Sequence, residues 1–354
     1  MQISPSLAAS DIAGANLMLT PANWPTIQRQ ARKNHRDCMY LLGVAYLLGG
    51  YVDQDKTRAY FWFKKAAEKG HADAAFRCGV LSQELEQSDH PPTYWYQKAS
   101  ELGSGAGSCA LANQWTYPKI QRLSASRAKV SFIQHLPWLR WGWWLAPENS
   151  EEARAAYQMY EKAYTEQKYL RALYYIGLHQ LHGWGTPRDV IKAQGHLKQS
   201  VDEESDRHSA YLLATTYPRS SSEYWEYMEK SADWGLPTAQ YILARSQLFK
   251  TQNEQMQDKA ISWLKRAAIQ RYVPAMQLLA YALSRRGNPR FDYEAYQWAY
   301  RAHAEGGFSA TILNRLYAKL SDEDKYRADQ IQNEDLQEFQ KTSERLFQQP
   351  GTSW

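Results

Sequence analysis

A small–large–small pattern recurs along this chain at a nearly constant interval, and that interval limits the possible folds more than any other feature. Its copies are Ala59-Trp62-Ala66, Pro92-Trp95-Ala99, Ala156-Met159-Ala163, Ala193-His196-Ser200, Tyr224-Tyr227-Ser231, Ala260-Trp263-Ala267 and Ala295-Trp298-Ala302. Tyr224 departs from the small-residue rule. Steps of three and seven residues keep side chains on one face of an α-helix. The first members of successive copies are 33, 64, 37, 31, 36 and 35 residues apart. Apart from the 64, these intervals match the length of a helical hairpin. Such a unit cannot bury its own apolar face and must stack on neighbours.

A second pattern marks the first helix of each hairpin. A small residue precedes Gly or Ala by five positions at Cys38/Gly43, Ala74/Gly79, Gly107/Ala112, Ala172/Gly177, Ser209/Ala214, Ala239/Ala244 and Ala275/Ala280. Small residues on both helices allow close approach, and large aromatics at Trp62, Trp95, Trp263 and Trp298 then fill the space between hairpins. The interval of 64 calls for one worn copy between Pro92 and Ala156. Gly142 lies 30 residues after Ala112 and 35 before Gly177. The stretch WLRWGWWLAP, Trp138 to Pro147, therefore reads as the first helix of that copy, with its second helix starting at Glu151. Four of the 14 tryptophans fall in these ten residues.

Composition agrees with helices. Aromatics reach 14%, but Val and Ile are sparse, and Ala, Leu, Gln, Glu, Lys and Arg dominate the rest. The net charge of +5 is spread over 42 basic and 37 acidic residues, without the basic block a nucleic-acid binder carries. Cys38, Cys78 and Cys109 form neither a disulfide framework nor a zinc motif and read as buried thiols. No stretch reaches the ~20 apolar residues of a membrane span, and the first residues do not read as a signal peptide. The expected location is cytoplasmic, or periplasmic if an export signal has been removed.

The expected fold is all-α: a right-handed superhelical solenoid of about eight helical-hairpin repeats with helical caps, forming one continuous domain. Residues 1–22 form an N-terminal extension and 23–309 the solenoid, with a capping helix at 23–34 and degenerate repeats at about 104–168. Residues 310–354 form closing helices. Asn34 stands where Gly70 ends the first hairpin and, like Gly70, suits a left-handed backbone.

The template segment LLGVAYLLGGYVDQDKTRAYFWFKKAAEKGHADA resembles the Sel-one-like repeat family, relatives of the tetratricopeptide repeat. The matching residues are Leu42, Gly43, Gly50, Asp55, Ala59, Trp62, Lys65, Ala66, Ala67, Gly70 and His71. A second match contains Gly177, Gly183, Gly185, Asp189, Lys192 and Ala193, and a third is KAISWLKRAAIQR from Lys259. The resemblance spans about residues 23–310 and is weakest in the third and fourth repeats. It implies a right-handed α-solenoid that serves as a protein-binding scaffold, mostly in bacterial signalling, secretion and envelope biology. It implies no catalytic residues. The paired cysteines of some relatives are missing.

The residues themselves offer little chemistry. There is no phosphate-binding Gly loop, G-x-S-x-G or H-E-x-x-H motif. His179 and His182 are three apart and could share a metal only with a third ligand, which the neighbouring sequence does not supply; a helix-surface or binding-groove role is the alternative. GGYVDQD lacks the ligand run and final Glu of a Ca²⁺ loop, so Asp55 reads as a helix cap. No cofactor is expected.

Tryptophan, tyrosine and arginine dominate binding hot spots. The candidate partner contacts are Trp138, Arg140, Trp141, Trp143, Trp144, His179, His182 and Trp184. Trp138, Trp141 and Leu145 share one helical face, while Arg140 and Trp143 point elsewhere; burial of all four tryptophans remains the competing reading. The structural positions are Gly43, Ala59, Trp62, Gly70, Gly79, Trp95, Gly177, Ala193, Trp263 and Trp298.

The expected function is non-catalytic: a bacterial adaptor for a secretion or envelope component, gripping its protein partner on the concave surface and the Trp-rich repeat. An alternative is an immunity-type protein that neutralises a secreted toxin by tight binding. A hydrolase is the remote third reading.

Overall fold

A computed structural model describes residues 19–85, 88–116, 150–248, 254–307 and 310–330. Its α-helices in chain order are α1 Trp24–Arg32, α2 Arg36–Leu48, α3 Lys56–Glu68, α4 Ala72–Ser82, α5 Pro92–Glu101, α6 Gly105–Thr116, α7 Glu151–Thr165, α8 Ala172–His182, α9 Val190–Glu204, α10 Arg207–Ala214, α11 Ser222–Asp233, α12 Pro237–Leu248, α13 Glu254–Ile269, α14 Val273–Ser284, α15 Asp292–Ala304 and α16 Ala310–Tyr317. A short 3₁₀ turn, Pro289–Phe291, precedes α15. Residues 322–330 are also helical, and no strand occurs among the described residues.

The described residues pack as two compact units, one within 19–116 and 150–189, the other within 190–330. Within the first unit α2 packs on α3, α3 on α4, α4 on α5 and α5 on α6; α6 then packs on α7 and α7 on α8. Within the second unit the same neighbour-to-neighbour packing runs from α9 to α10 and from α10 through α11, α12, α13 and α14 to α15. Each unit is thus a solenoid of stacked hairpins, as the triplet spacing requires.

The caps follow from local chemistry. Asp55 accepts from the backbone N of Arg58 at 2.9 Å, and Ser150, Asp206 and Ser221 cap α7, α10 and α11 in the same way. Each bond satisfies a backbone donor that the first turn leaves unpaired. At the end of the first capping helix Asn34 has φ 63°, matching Gly70 at φ 82°.

The small positions are contact points. A Cβ added to Gly43 would lie 2.7 Å from the Phe63 ring, and one added to Gly79 would lie 2.4 Å from the Tyr96 ring. Phe63 and Tyr96 are equivalent, 33 residues apart, so the same ring edge meets the same glycine in successive hairpins. Ala59, Ala66, Ala99, Ala156, Ala163, Ala193, Ala260, Ala267, Ala295 and Ala302 are all fully buried. Trp95, 1% exposed, donates its indole N–H to the Tyr60 hydroxyl at 3.1 Å, joining one hairpin to the next. Trp263 and Trp298 are buried, and Trp62 is half-buried. Burying a large apolar side chain contributes about 1.5–3 kcal/mol, so these positions account for part of the aromatic excess as packing.

Candidate functional site

The first helices bring their aromatic residues to one face. Three positions before the closely packed small residue stand Tyr40, Phe76 and Tyr174 in the first unit, and Tyr211 and Tyr241 in the second. Tyr40 is buried and the other four are half-buried. Helix α4 also touches α6 directly, across the intervening α5, and α12 touches α14 across α13. First helices therefore form a layer of their own in each unit, with these rings at matching heights.

A polar edge borders this layer in the first unit. The His71 ring stacks on Tyr40, centroids 4.4 Å apart. Its Nδ1 accepts from the backbone N of Ala74 at 3.2 Å, which places the proton of the neutral ring on Nε2. That nitrogen faces the Asp37 carboxylate at 3.9 Å. Burial pushes the His71 pKa down, against the pull of Asp73 and Asp37, so the ring is held neutral. Burial raises the Asp73 pKa, and Ser104 donates to its carboxylate at 3.3 Å.

His179 and Trp184, expected as partner contacts, lie inside the fold. His179 is 0% exposed and Trp184 6%. The Trp184 carbonyl can only accept, so His179 Nδ1–H donates to it at 2.9 Å. Its Nε2 then carries a lone pair that meets no hydrogen-bond donor among the described residues. Tyr157, Tyr160 and Trp184 surround the ring at 5.1–6.1 Å. Burial lowers the His179 pKa from 6.5 to about 4. Next to it, Tyr160 donates to Asn113 at 2.8 Å and Asn113 to the Tyr175 hydroxyl at 3.2 Å, with the two tyrosine rings stacked at 4.8 Å. His182 is half-buried and stacks on Trp184 at 4.8 Å. The two histidines thus anchor a Trp rather than present a chelating pair. No group of three or more His, Cys, Asp or Glu residues suited to a metal occurs among the described residues. Trp138, Arg140, Trp141, Trp143 and Trp144 lie outside the described residues.

The second helices carry a feature absent from the expected site. Three residues after the large aromatic of the triplet stands a cation over its ring. In the first unit Lys65 lies 5.4 Å from the Trp62 centroid and Lys98 5.5 Å from Trp95. In the second, Lys230 lies 5.0 Å from Tyr227, Arg266 4.4 Å from Trp263 and Arg301 4.8 Å from Trp298. A cation over a ring face contributes about 0.5–1 kcal/mol at exposed sites. The sequence held the signal, a base six residues after the first member of each of these triplets.

Comparison with known proteins agrees with this geometry. The Sel1 repeat family model matches residues 36–71, 93–104, 170–205 and 237–272. A Sel1 repeat protein from Oxalobacter formigenes of known structure is 21% identical, with TM-score 0.50, over 72% of this chain and 90% of its own. A protective antigen from uropathogenic Escherichia coli with an SLR fold is 22% identical over 84% of this chain and 65% of its own, with TM-score 0.37. A chitin synthase regulator, SKT5, from Malassezia restricta is 35% identical over 86 residues, which are 23% of this chain and 6% of the regulator. The chain thus spans only a small fraction of that curated relative. No helix among the described residues is long and apolar enough to cross a membrane. Sel1 repeats generally serve as protein–protein interaction scaffolds. Four stretches that match the Sel1 repeat model, small residues at the helix contacts and hairpins stacked in sequence show an α-solenoid that carries Sel1-like repeats.

Proposed function

We propose that this chain is a non-catalytic scaffold that binds a protein partner on its first-helix face. The observation that carries the reading is the half-buried aromatics at equivalent first-helix positions within each unit: Phe76 and Tyr174 in one, and separately Tyr211 and Tyr241 in the other. Half-buried rings on a pre-formed layer lose little conformational freedom on binding and supply large contact area. A specific complex would bury roughly 1,200–2,000 Å² in total. The partner is a bacterial secretion or envelope component in the adaptor reading and a toxin in the immunity reading.

The test is affinity capture from cells that make the chain, followed by calorimetry with the captured partner. The expected outcome is a partner whose affinity falls at least tenfold in Phe76→Ser or Tyr241→Ser, measured at a temperature where circular dichroism shows each variant still folded. A partner indifferent to both substitutions refutes the first-helix face. Micromolar binding to several proteins favours the adaptor; nanomolar binding to one favours neutralisation.

A further inference from the structure

The outer side of the first two hairpins departs from the rest of the chain. The position two residues after the first member of the triplet points away from the neighbouring helices. It carries Gln158, Gly195, Glu226, Ser262 and Gln297 in the five later copies, but Phe61 and Tyr94 in the first two. Phe61 is 49% exposed and Tyr94 42%. Neither ring is needed to pack hairpin on hairpin, since Tyr60, Phe63, Trp95 and Tyr96 do that from the buried side.

These rings belong to one connected surface. Phe61 meets Trp62 edge-on at 5.4 Å, and Tyr94 meets Trp95 edge-on at 5.2 Å. His90 lies 4.0 Å from Tyr94. The Trp95–Tyr60 hydrogen bond and the Lys64–Asp89 ion pair tie the two helices together. Lys65 sits over both Phe61, at 4.5 Å, and Trp62. Lys98 holds the matching place over Trp95.

Charge indicates the occupant. Helix α3 carries Lys56, Arg58, Lys64 and Lys65 against Glu68, and α5 carries Lys98 against Glu101. Glu84, Asp55 and Asp89 pair with Lys56, Arg58 and Lys64. Lys65 and Lys98 contact rings, and no carboxylate among the described residues forms an ion pair with either. A cation fixed over an aromatic surface without an anion leaves a donor for an incoming carboxylate, while the exposed rings beside it offer an apolar seat.

We infer that the outer face of α3 and α5, built from Phe61, Lys65, His90, Tyr94 and Lys98, is a second docking surface, and that it takes an acidic protein segment with a large apolar side chain. It is separate from the first-helix face. It makes the chain a two-sided scaffold able to hold two proteins at once.

The experiment pans a displayed library of random twelve-residue peptides against the full chain, then measures affinities of synthetic winners by calorimetry. The expected winners carry two or more Asp or Glu around an aromatic or aliphatic anchor. Phe61→Ala, Tyr94→Ala and Lys65→Glu should each weaken them at least fivefold, with unchanged circular dichroism. Raising salt from about 50 to about 300 mM should weaken them as well, whereas Phe76→Ser should leave them bound. Winners without acidic residues, winners insensitive to these substitutions, or no enrichment would overturn the inference. So would concentration-dependent dimerisation abolished by Phe61→Ala, which would make a second copy the occupant. Binding to vesicles containing phosphatidylserine that Lys65→Glu abolishes would replace it with a membrane surface. Loss of the first-helix partner alone would leave this surface intact, so the two readings fail independently.

Discussion

Replacing Gly79 by Ala sets two opposed effects against each other, and the structure decides between them. In an unobstructed helix Ala is better than Gly by about 0.8–1.0 kcal/mol. At Gly79 the new Cβ would lie 2.4 and 2.6 Å from two carbons of the Tyr96 ring. Carbon atoms in contact sit ~3.5–4.0 Å apart, so ring or helix must shift by about 1 Å. The ring has little room: Tyr96 is 3% exposed, its hydroxyl accepts from Gln83 at 3.0 Å, and Phe76 lies 5.9 Å away. Overpacking of this kind costs about 1–3 kcal/mol. Subtracting the helix gain from the middle of that range, Gly79→Ala should destabilise by about 1 kcal/mol. Gly195 is the control, because nothing lies within 4 Å of its added Cβ; Gly195→Ala should stabilise by about 0.4–1 kcal/mol. Urea unfolding followed by circular dichroism would measure both, and adding Tyr96→Leu should remove most of the Gly79→Ala penalty. If Gly79→Ala proves as stable as the parent, close approach is not what requires glycine there.

Other outcomes follow from the same contacts. His179 is held neutral, with its pKa lowered to about 4. Its stability contribution is complete above the unfolded value near 6.5 and is lost as pH falls from there towards 4, reaching about 3 kcal/mol by linkage. A plot of unfolding free energy against pH should be flatter in His179→Gln over that window, and an unchanged slope would rule the histidine out. Burial raises the pKa of all three free thiols; a thiol reagent should therefore leave the native chain largely unmodified and titrate three groups after unfolding. Asp206→Ala removes the cap that accepts from the backbone N of Ser209 at 2.7 Å and should cost about 1 kcal/mol in thermal unfolding.

The repeat architecture was legible because close packing leaves a mark in sequence. Ala, Gly and Trp recur where helices touch, and the intervals between them count the hairpins. The fate of His179 was also within reach. It lies seven residues after Ala172, two helical turns along the same face, and aligns with buried Ala45 of the template hairpin. The His179/His182 pair does not show it, because i,i+3 spacing does not say which way a face points. Trp184 takes the place of Gly50, so a turn residue became a lid over that histidine. The cations over the rings went unread for a different reason: Lys in a Lys-Ala-Ala run reads as solvated helix surface until the ring beneath it is seen. The tryptophans of WLRWGWWLAP lie outside the described residues, and Trp143 keeps its two readings.

The hydrogen bond from Trp95 to Tyr60 has a consequence for how this chain can be rebuilt. Repeat proteins invite cutting and shuffling, since each hairpin offers nearly the same shape to the next. Here the donor and acceptor belong to different hairpins, and the positions equivalent to Tyr60 elsewhere hold Thr93, Tyr157, Gln194, Trp225, Ile261 and Tyr296. Moving the second hairpin behind the copies that hold Trp225 or Ile261 would strand a buried indole N–H, at a penalty of about 1–3 kcal/mol. Serial order is thus written into the interior as well as into the peptide bonds, and a permuted array would be a different, weaker molecule.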